Sequence, residues 1–302
     1  MALLGRLRRG VVQRLRTHEA AAVGEAGPRT RVAVLTNKVR VDRALLDALP
    51  ALELVASYGV GLDHVDLTAT TERGVTVANT PGVLDDCVAD LAVGALIDVR
   101  RRMSAADRFV RAGAWSAGEP YPLGRRFAGT RVGILGMGRI GTAVARRLDG
   151  FWCEVGYHSR RPVSGSPYRY AATARELAAW ADSLVVTVPG GRATSAMVDA
   201  DVLDALGPDG FLVNVARGSV VDEPALVRAL EEGRIAGAAL DTYADEPHVP
   251  AALLGRDDVV LLPHMGSATQ ETRAAMDDLL VANVEDWLRH GRARTPVVAA
   301  VP

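Results

Sequence analysis

The chain has 302 residues, of which 49% are hydrophobic and 24% are charged, and its 35 basic and 36 acidic residues leave a formal net charge of −1. This composition is typical of a folded globular protein with room for two domains, and it excludes a disordered chain and a small disulfide-stabilised module. The balanced charge gives no reason to expect nucleic acid as a partner, and the sequence contains no unbroken apolar stretch of the roughly 18 residues that a membrane helix needs.

Residues 1–25 are rich in arginine, poor in acids, and carry apolar side chains at helical spacing. The pattern predicts an amphipathic surface helix of the first domain. A transit peptide has a similar composition, and this alternative stays open.

From Arg31 onward, short apolar runs alternate with segments of helical periodicity. Continuous apolar runs separated by helices indicate parallel sheets covered on both faces, which is an α/β fold. The predicted strands are Val32–Leu35, Leu52–Ala56, Val75–Ala78, Val132–Leu135, Glu154–Tyr157, Leu184–Val188, Phe211–Val215, Ile235–Leu240 and Val259–Leu262. The predicted helices include Asp86–Met103, Ile140–Leu148, Ala172–Trp180, Glu223–Glu232 and Gln270–Arg289.

The strands form two groups, which predicts two Rossmann-like lobes with parallel sheets. Residues 1–98 and 272–302 form the smaller lobe, because the last long helix can return the chain to it. Residues 99–271 form the second lobe, which is inserted into the first. A ligand is expected at the carboxyl ends of the strands.

A glycine-rich loop follows the strand Val132–Leu135 and opens a helix. Gly136 permits the tight turn, Gly138 lets the backbone approach a pyrophosphate, and Gly141 allows close packing of helix and strand. The helix N-terminus offers free N–H groups to the anion. The second lobe is therefore predicted to be a dinucleotide-binding domain.

The end of the next strand indicates which dinucleotide is bound. An NAD site usually carries an acidic residue about 20 positions past the glycines. Here the chain reads His158, Ser159, Arg160 and Arg161, without a carboxylate. Two guanidinium groups favour a 2′-phosphate, so NADP(H) is the preferred cofactor and NAD(H) remains possible. The alternative is that both arginines are solvated loop charges.

Three segments after the glycine loop carry Arg217, Glu246 and His264 near predicted strand ends. Each residue alone has an ordinary structural explanation, but the set suits hydride transfer to a 2-oxo acid. Arginine holds a carboxylate through two parallel hydrogen bonds, histidine donates a proton to the developing alkoxide, and a carboxylate stabilises the imidazolium.

The order of these motifs is similar to that of a known family. Together with Ser57–Asp63 and Asn79–Gly82, the glycine loop and the Arg, Glu and His segments resemble the D-isomer-specific 2-hydroxyacid dehydrogenases. Within that family the chain resembles the NADPH-dependent glyoxylate/hydroxypyruvate and hydroxyphenylpyruvate reductases. The resemblance extends from about Asp42 to Val298.

The resemblance implies a role for each matching residue. Arg217 would bind and polarise the substrate, His264 would be the acid/base, and Glu246 would pair with it. Val60 and Gly61 would bind the substrate carboxylate through backbone N–H groups, and Tyr58 would lie near the substrate side chain. Asp241 matches a residue that hydrogen-bonds the nicotinamide amide. The other cofactor positions are Val88, Gly136, Gly138, Arg139, Ile140, Gly141, His158, Ser159, Arg160, Arg161, Val188, Pro189, Val215, Ala216, His264 and Gly266.

The leading hypothesis is therefore a cytoplasmic enzyme that reduces glyoxylate or hydroxypyruvate to the D-2-hydroxy acid. A bulkier 2-oxo acid (hydroxyphenylpyruvate or 2-ketogluconate) and a non-enzymatic, cofactor-sensing corepressor are the alternatives. The resemblance and the apolar segment Ala105–Leu123 predict a homodimer. Cys87 and Cys153 are in no metal-ligand spacing and are read as free thiols of a reducing compartment. No metal, nucleic acid or membrane is expected as a partner.

Overall fold

The structure is a computed structural model that describes residues 27–297. The helix predicted at residues 1–25 lies outside the described residues. In chain order, the strands are β1 Val32–Thr36, β2 Leu54–Tyr58, β3 Thr76–Ala78, β4 Arg131–Leu135, β5 Glu154–His158, β6 Arg169–Tyr170, β7 Ser183–Val186, β8 Phe211–Asn214, β9 Gly237–Leu240 and β10 Val259–Leu261. The α-helices are α1 Arg43–Ala48, α2 Leu67–Glu72, α3 Asp85–Arg101, α4 Met103–Arg111, α5 Arg139–Asp149, α6 Ala174–Trp180, α7 Ala200–Leu206, α8 Glu223–Glu231, α9 Ala251–Leu254 and α10 Gln270–His290.

The chain divides into two units, Met1–Leu84 with Ala268–Pro302, and Asp85–Ser267. The first boundary therefore lies before helix α3, not at the predicted 98/99, and the second lies at 267/268 instead of 271/272. The reason is that α3 packs against α5, β8 and β9 and so belongs to the larger unit. Its buried face is apolar, and burial of that face decides which unit the helix joins.

The smaller unit is built on a parallel sheet of order β1-β2-β3. Helix α10 packs against β2, so its buried side chains Leu280 and Val284 share a core with Leu54 and Ala56. Side-chain caps start the helices: Asp42 accepts a hydrogen bond from the Leu45 N–H, and Asp66 accepts one from the Ala69 N–H.

The larger unit is built on a seven-stranded parallel sheet of order β10-β9-β8-β7-β4-β5-β6. Strands β7, β8 and β9 are buried along their whole length, which explains their continuous apolar sequence. The chain runs outward from β4 to β6 on one side and then returns to β7 on the other. This reversal of strand order beside β4 is where α/β sheets bind ligands.

Two local predictions were wrong. The predicted helix Asp86–Met103 is interrupted at Arg102, whose φ of 56° is left-handed, and the chain continues as α4. The Asp98 side chain accepts a hydrogen bond from the Ser104 N–H at 2.8 Å and so caps the new helix. Strand β6 was missed because two residues are too few to show an alternating pattern.

Among residues 27–297, no helix combines the length and the apolar character needed to cross a membrane.

Candidate active site

The glycine loop joins β4 to α5 in the geometry that its sequence predicts. Gly136 has a φ of 103°, and its N–H donates to the His158 carbonyl at 2.8 Å. A Cβ at Gly141 would overlap the carbonyl oxygen of Gly136, so this position requires glycine. Thr187 donates its hydroxyl to the same carbonyl at 2.7 Å and holds the turn against the sheet.

The first turn of α5 fits a pyrophosphate. Its N-cap is Gly138, and no side chain caps the helix there. A Cβ at Gly138 would meet no atom within 4 Å, so the space in front of the helix N-terminus is open. Exposed N–H groups and the helix dipole attract an anion to such a position. Arg139, on the exposed side of this turn, forms an ion pair with Asp85 at 3.3 Å, and Ile140 is half-buried.

The predicted 2′-phosphate residues begin at the last residue of β5 and continue into the loop after it. His158 pairs with Leu135 in the sheet register, and its Nδ1 lies 3.0 Å from the Ala171 carbonyl oxygen. Ser159 donates its hydroxyl to the Arg161 carbonyl at 2.7 Å, which shapes the loop. Arg160 and Arg161 are exposed, and neither forms an ion pair with another residue of the 27–297 range. Their guanidinium groups are therefore available to a phosphate.

Arg217 follows β8 in a loop that Asn214 holds in place. The Asn214 amide donates to the Arg217 carbonyl at 2.9 Å, and its oxygen accepts from the Ala216 N–H at 3.0 Å. The next residue, Gly218, lies directly on the backbone of Tyr243, and a Cβ there would overlap the Tyr243 carbonyl. The loop that carries Arg217 therefore packs backbone to backbone against the turn that leads to Glu246.

His264 and Glu246 form a hydrogen-bonded pair, with His264 Nδ1 2.7 Å from Glu246 Oε2. Burial alone would raise the pKa of Glu246, but the hydrogen bond and positive charge of His264 outweigh it and lower the pKa. The Tyr243 N–H donates to Glu246 Oε1 at 3.3 Å, and the Arg217 charge also favours the carboxylate. Because Glu246 occupies Nδ1, Nε2 is the nitrogen through which His264 can deliver a proton.

The His264 backbone is held in an unusual conformation by Asp241. His264 has a φ of 53°, in the left-handed region. The Asp241 carboxylate accepts from the Met265 N–H at 2.7 Å and from the Gly266 N–H at 2.8 Å. Asp241 is 2% exposed, and this burial raises its pKa above the usual range, although the two backbone donors partly offset the rise. The carboxylate keeps free lone pairs, so the implied contact with a nicotinamide amide remains available to it.

The remaining predicted residues have defined places. Val88 lies beside Gly266, Val188 lies beside Gly136, and Val215 and Ala216 are buried in the loop after β8. Pro189 is exposed in the chain that follows β7. Tyr58, Val60 and Gly61 lie at the end of β2 in the smaller unit, where the Arg273 guanidinium covers the Tyr58 ring at 5.6 Å.

Sequence reasoning gave no role to three residues that shape this site. Asn214 and Gly218 support the Arg217 loop, and Glu223 accepts from the Ala244 N–H at 3.1 Å, which braces the turn before Glu246. Asn at the end of a buried strand is a signal for a side-chain-to-backbone turn. Gly218 and Glu223 act across long sequence separations, and no local pattern indicates that.

The fold and this site define a dinucleotide-dependent oxidoreductase, and comparisons with known proteins identify the family. The model of the D-isomer specific 2-hydroxyacid dehydrogenase, NAD-binding domain, matches residues 93–266. A hydroxyphenylpyruvate reductase of Plectranthus scutellarioides is 49% identical over 268 residues, which cover 89% of this chain and 85% of that protein. Glyoxylate/hydroxypyruvate reductase A of Arabidopsis thaliana is 49% identical over 257 residues, covering 85% and 82%.

A solved structure is similar as well. The NADPH-dependent glyoxylate/hydroxypyruvate reductase of Sinorhizobium meliloti, in complex with NADP and malonate, has a TM-score of 0.91 and 44% identity, covering 95% of this chain and 89% of that chain. The chain therefore belongs to the D-isomer specific 2-hydroxyacid dehydrogenases. The predicted family, α/β fold class, enzyme class and dinucleotide cofactor are confirmed.

Proposed function

We propose that this protein reduces glyoxylate or hydroxypyruvate to the D-2-hydroxy acid, with NADPH as the preferred hydride donor. The observation that carries the proposal is the 2.7 Å pair of His264 and Glu246, whose carboxylate also lies within the field of Arg217. Two relatives that cover most of the chain are named for these substrates.

The three side chains divide the work of the reaction. NADPH supplies the hydride when it is bound. Arg217 holds the substrate carboxylate through a charge-assisted pair of hydrogen bonds and polarises the adjacent carbonyl. His264 donates the proton on Nε2 to the carbonyl oxygen as that oxygen becomes an alkoxide. Glu246 accepts the hydrogen bond from Nδ1 and stabilises the imidazolium. The products are the 2-hydroxy acid and NADP⁺.

A panel of 2-oxo acids tests the proposal. NADPH oxidation is followed at saturating cofactor with glyoxylate, hydroxypyruvate, hydroxyphenylpyruvate and 2-ketogluconate, and kcat/KM is compared. We expect the highest value for one of the two small acids. A highest value for hydroxyphenylpyruvate would favour the second candidate, which the 49% identical hydroxyphenylpyruvate reductase supports. Tight NADPH binding without turnover of any acid would favour a corepressor-like binding protein instead.

The cofactor preference depends on Arg160 and Arg161. We expect the wild type to have a higher kcat/KM with NADPH than with NADH, because two guanidinium groups without carboxylate partners can bind a 2′-phosphate. In the Arg160→Ala/Arg161→Ala double variant, kcat/KM with NADPH should fall by about tenfold or more, while kcat/KM with NADH should stay unchanged. The loss is limited because both arginines are solvent-exposed and each phosphate contact contributes modestly. Arg192→Ala, at another exposed arginine, is the control. Equal efficiency of the wild type with both cofactors would contradict the assignment.

We also propose that the protein is a homodimer that associates through Ala105–Leu123. Trp115 is 69% exposed and Leu123 is 96% exposed, which is an unusually large exposed apolar surface for one segment of a monomer. The segment is ordered by its own contacts, because Phe109 packs on Tyr121 with ring centroids 5.1 Å apart. Light scattering at micromolar concentration should give twice the chain mass. Trp115→Glu/Leu123→Glu should halve that mass, whereas Trp152→Glu, at an exposed tryptophan outside the segment, should not. A monomeric wild type would refute the proposal.

A cytoplasmic location is proposed from cysteine usage. Cys87 and Cys153 are not joined in a disulfide, as expected of a protein kept in a reducing compartment. Cell fractionation followed by detection of the native protein tests it, and recovery in an organelle would support the transit-peptide alternative.

A further inference from the structure

The turn after β2 contains the two N–H groups expected to bind the substrate carboxylate. The strand ends at Tyr58, and Gly59 reverses the chain with a φ of 128°. Neither Val60 nor Gly61 has a side chain that could aim its own backbone N–H. What orients these two groups must therefore come from outside the turn.

The neighbouring segment after β3 holds the turn by three hydrogen bonds. The Gly59 N–H donates to Thr80 Oγ1 at 3.1 Å, and the Thr80 N–H donates back to the Gly59 carbonyl at 3.0 Å. The Asn79 side-chain amide donates to the Val60 carbonyl at 3.0 Å. Thr80 is completely buried and Asn79 is nearly so, which makes these bonds costly to lose.

Because the peptide group is planar, these hydrogen bonds to the carbonyls also fix the directions of the next N–H groups. A carbonyl and the next N–H belong to one rigid trans unit and point in opposite directions. The bond to the Gly59 carbonyl therefore fixes the Val60 N–H, and the bond to the Val60 carbonyl fixes the Gly61 N–H. Both carbonyls are held by Asn79 and Thr80, so both N–H groups are directed away from these residues.

Asn79 is itself fixed by the C-terminal segment. Its carbonyl accepts from the Thr295 hydroxyl at 2.7 Å and from the Asn283 amide at 3.2 Å. Asn283, wholly buried in α10, also accepts from the Thr295 N–H at 2.8 Å. The strand-like contact continues with Val297, whose N–H donates to the Val77 carbonyl at 2.7 Å.

We infer that Asn79 and Thr80 are positioning residues that aim the Val60 and Gly61 N–H groups at the substrate carboxylate. Asn283 and Thr295 contribute indirectly, because they hold Asn79 in place through its carbonyl. The inference rests on the proposed function, because it takes a 2-oxo acid as the ligand. It predicts a defect in substrate binding that leaves the dinucleotide site unchanged.

The test measures KM and kcat for glyoxylate in Asn79→Ala, alongside the Kd for NADPH from its fluorescence. We expect KM to rise about tenfold, kcat to change less, and the NADPH Kd to stay within about twofold. Asn79→Asp should behave like Asn79→Ala, since a carboxylate cannot donate to the Val60 carbonyl. A lowered melting temperature with an unchanged KM would show that Asn79 only supports the fold, and would overturn the inference.

Two substitutions of Thr295 test the inference if the Asn79 variants fail to fold. Thr295→Val has nearly the same shape but cannot donate to the Asn79 carbonyl, so it should raise KM several-fold. Thr295→Ser keeps the hydroxyl donor and should have the wild-type KM. Thr71→Val, which removes an exposed hydroxyl of α2, is the control. A Thr295→Val enzyme with wild-type KM would also overturn the inference.

Failure of the proposed function is distinguishable from failure of this inference. A wild type that reduces no 2-oxo acid refutes the function. Calorimetric titration of oxalate into the NADP complexes of wild type and Asn79→Ala then tests whether the turn binds a carboxylate. Equal oxalate affinity of the two proteins would count against the positioning role.

Discussion

Replacement of His264 by glutamine is expected to lower kcat for glyoxylate reduction by about 10²-fold or more, with the NADPH affinity nearly unchanged. Glutamine keeps a polar side chain of similar reach, but it cannot donate the proton that the alkoxide requires. The pair with Glu246 at 2.7 Å fixes the orientation of the imidazole. The measurement is kcat at saturating NADPH and substrate, on protein whose circular dichroism matches that of the wild type.

The contrary outcome is equally clear. A folded His264→Gln enzyme with near-wild-type turnover would show that His264 is structural. His290→Gln, at a histidine in the last turn of α10, is the control and should keep full activity.

A companion variant tests the sign of the electrostatic coupling. Burial opposes the shift, but the hydrogen bond and charge of His264 lower the pKa of Glu246, so the carboxylate is ionised at neutral pH and places a negative charge 2.7 Å from the imidazole. Glu246→Gln removes that charge, and reduction should be lost at a lower pH than in the wild type, with a milder defect in acid. A pH profile of kcat with an unshifted alkaline limb would contradict the coupling.

Substitution of alanine for Gly218 should have the second largest effect. An added Cβ would overlap the Tyr243 carbonyl and the Ala244 nitrogen, and neither backbone can yield without moving the Arg217 loop or the Glu246 turn. Displacement of about 1 Å at a reacting group can cost roughly 10²-fold in rate, and overpacking typically costs about 1–3 kcal/mol of folding free energy. We expect kcat/KM for glyoxylate to fall by about 10²-fold, with a lower unfolding midpoint in urea.

Gly255→Ala is the matched control for that variant. Its φ is −95° and a Cβ there would meet no atom within 4 Å, so it adds the same methyl group without a clash. Near-wild-type kcat/KM in Gly218→Ala would show that the two segments are not held in register by this contact.

Those parts of the site that depend on local sequence were predictable. The glycine loop is specified by three glycines at fixed spacing between a strand and a helix, and the structure shows why Gly136 and Gly141 are required. The Arg, Glu and His segments were found because strand ends in a parallel sheet converge on one edge.

The features that were missed depend on distant contacts. The left-handed Arg102 divides a continuous helical pattern, and only the hydrogen bond that the Ser104 N–H donates to the Asp98 carboxylate reveals the break. Gly218 and Tyr243 are far apart in sequence but touch through their backbones, for which no periodicity exists. The boundary at Leu84 was missed because it depends on which core buries the apolar face of α3.

The interrupted smaller unit has a consequence for the order of events during synthesis. The larger unit is one continuous stretch, Asp85–Ser267, whereas β1, β2 and β3 need α10 to cover them. Val32, Leu54 and Ala78 share their core with Leu280 and Ala293, which leave the ribosome more than 200 residues after the first of them. Because domains fold as units while the chain emerges, the segment translated first completes its fold last. A nascent chain cut after Ser267 and stalled on an added unstructured linker that spans the ribosome exit tunnel should therefore hold a protease-resistant larger unit behind an N-terminal region that is still readily cleaved.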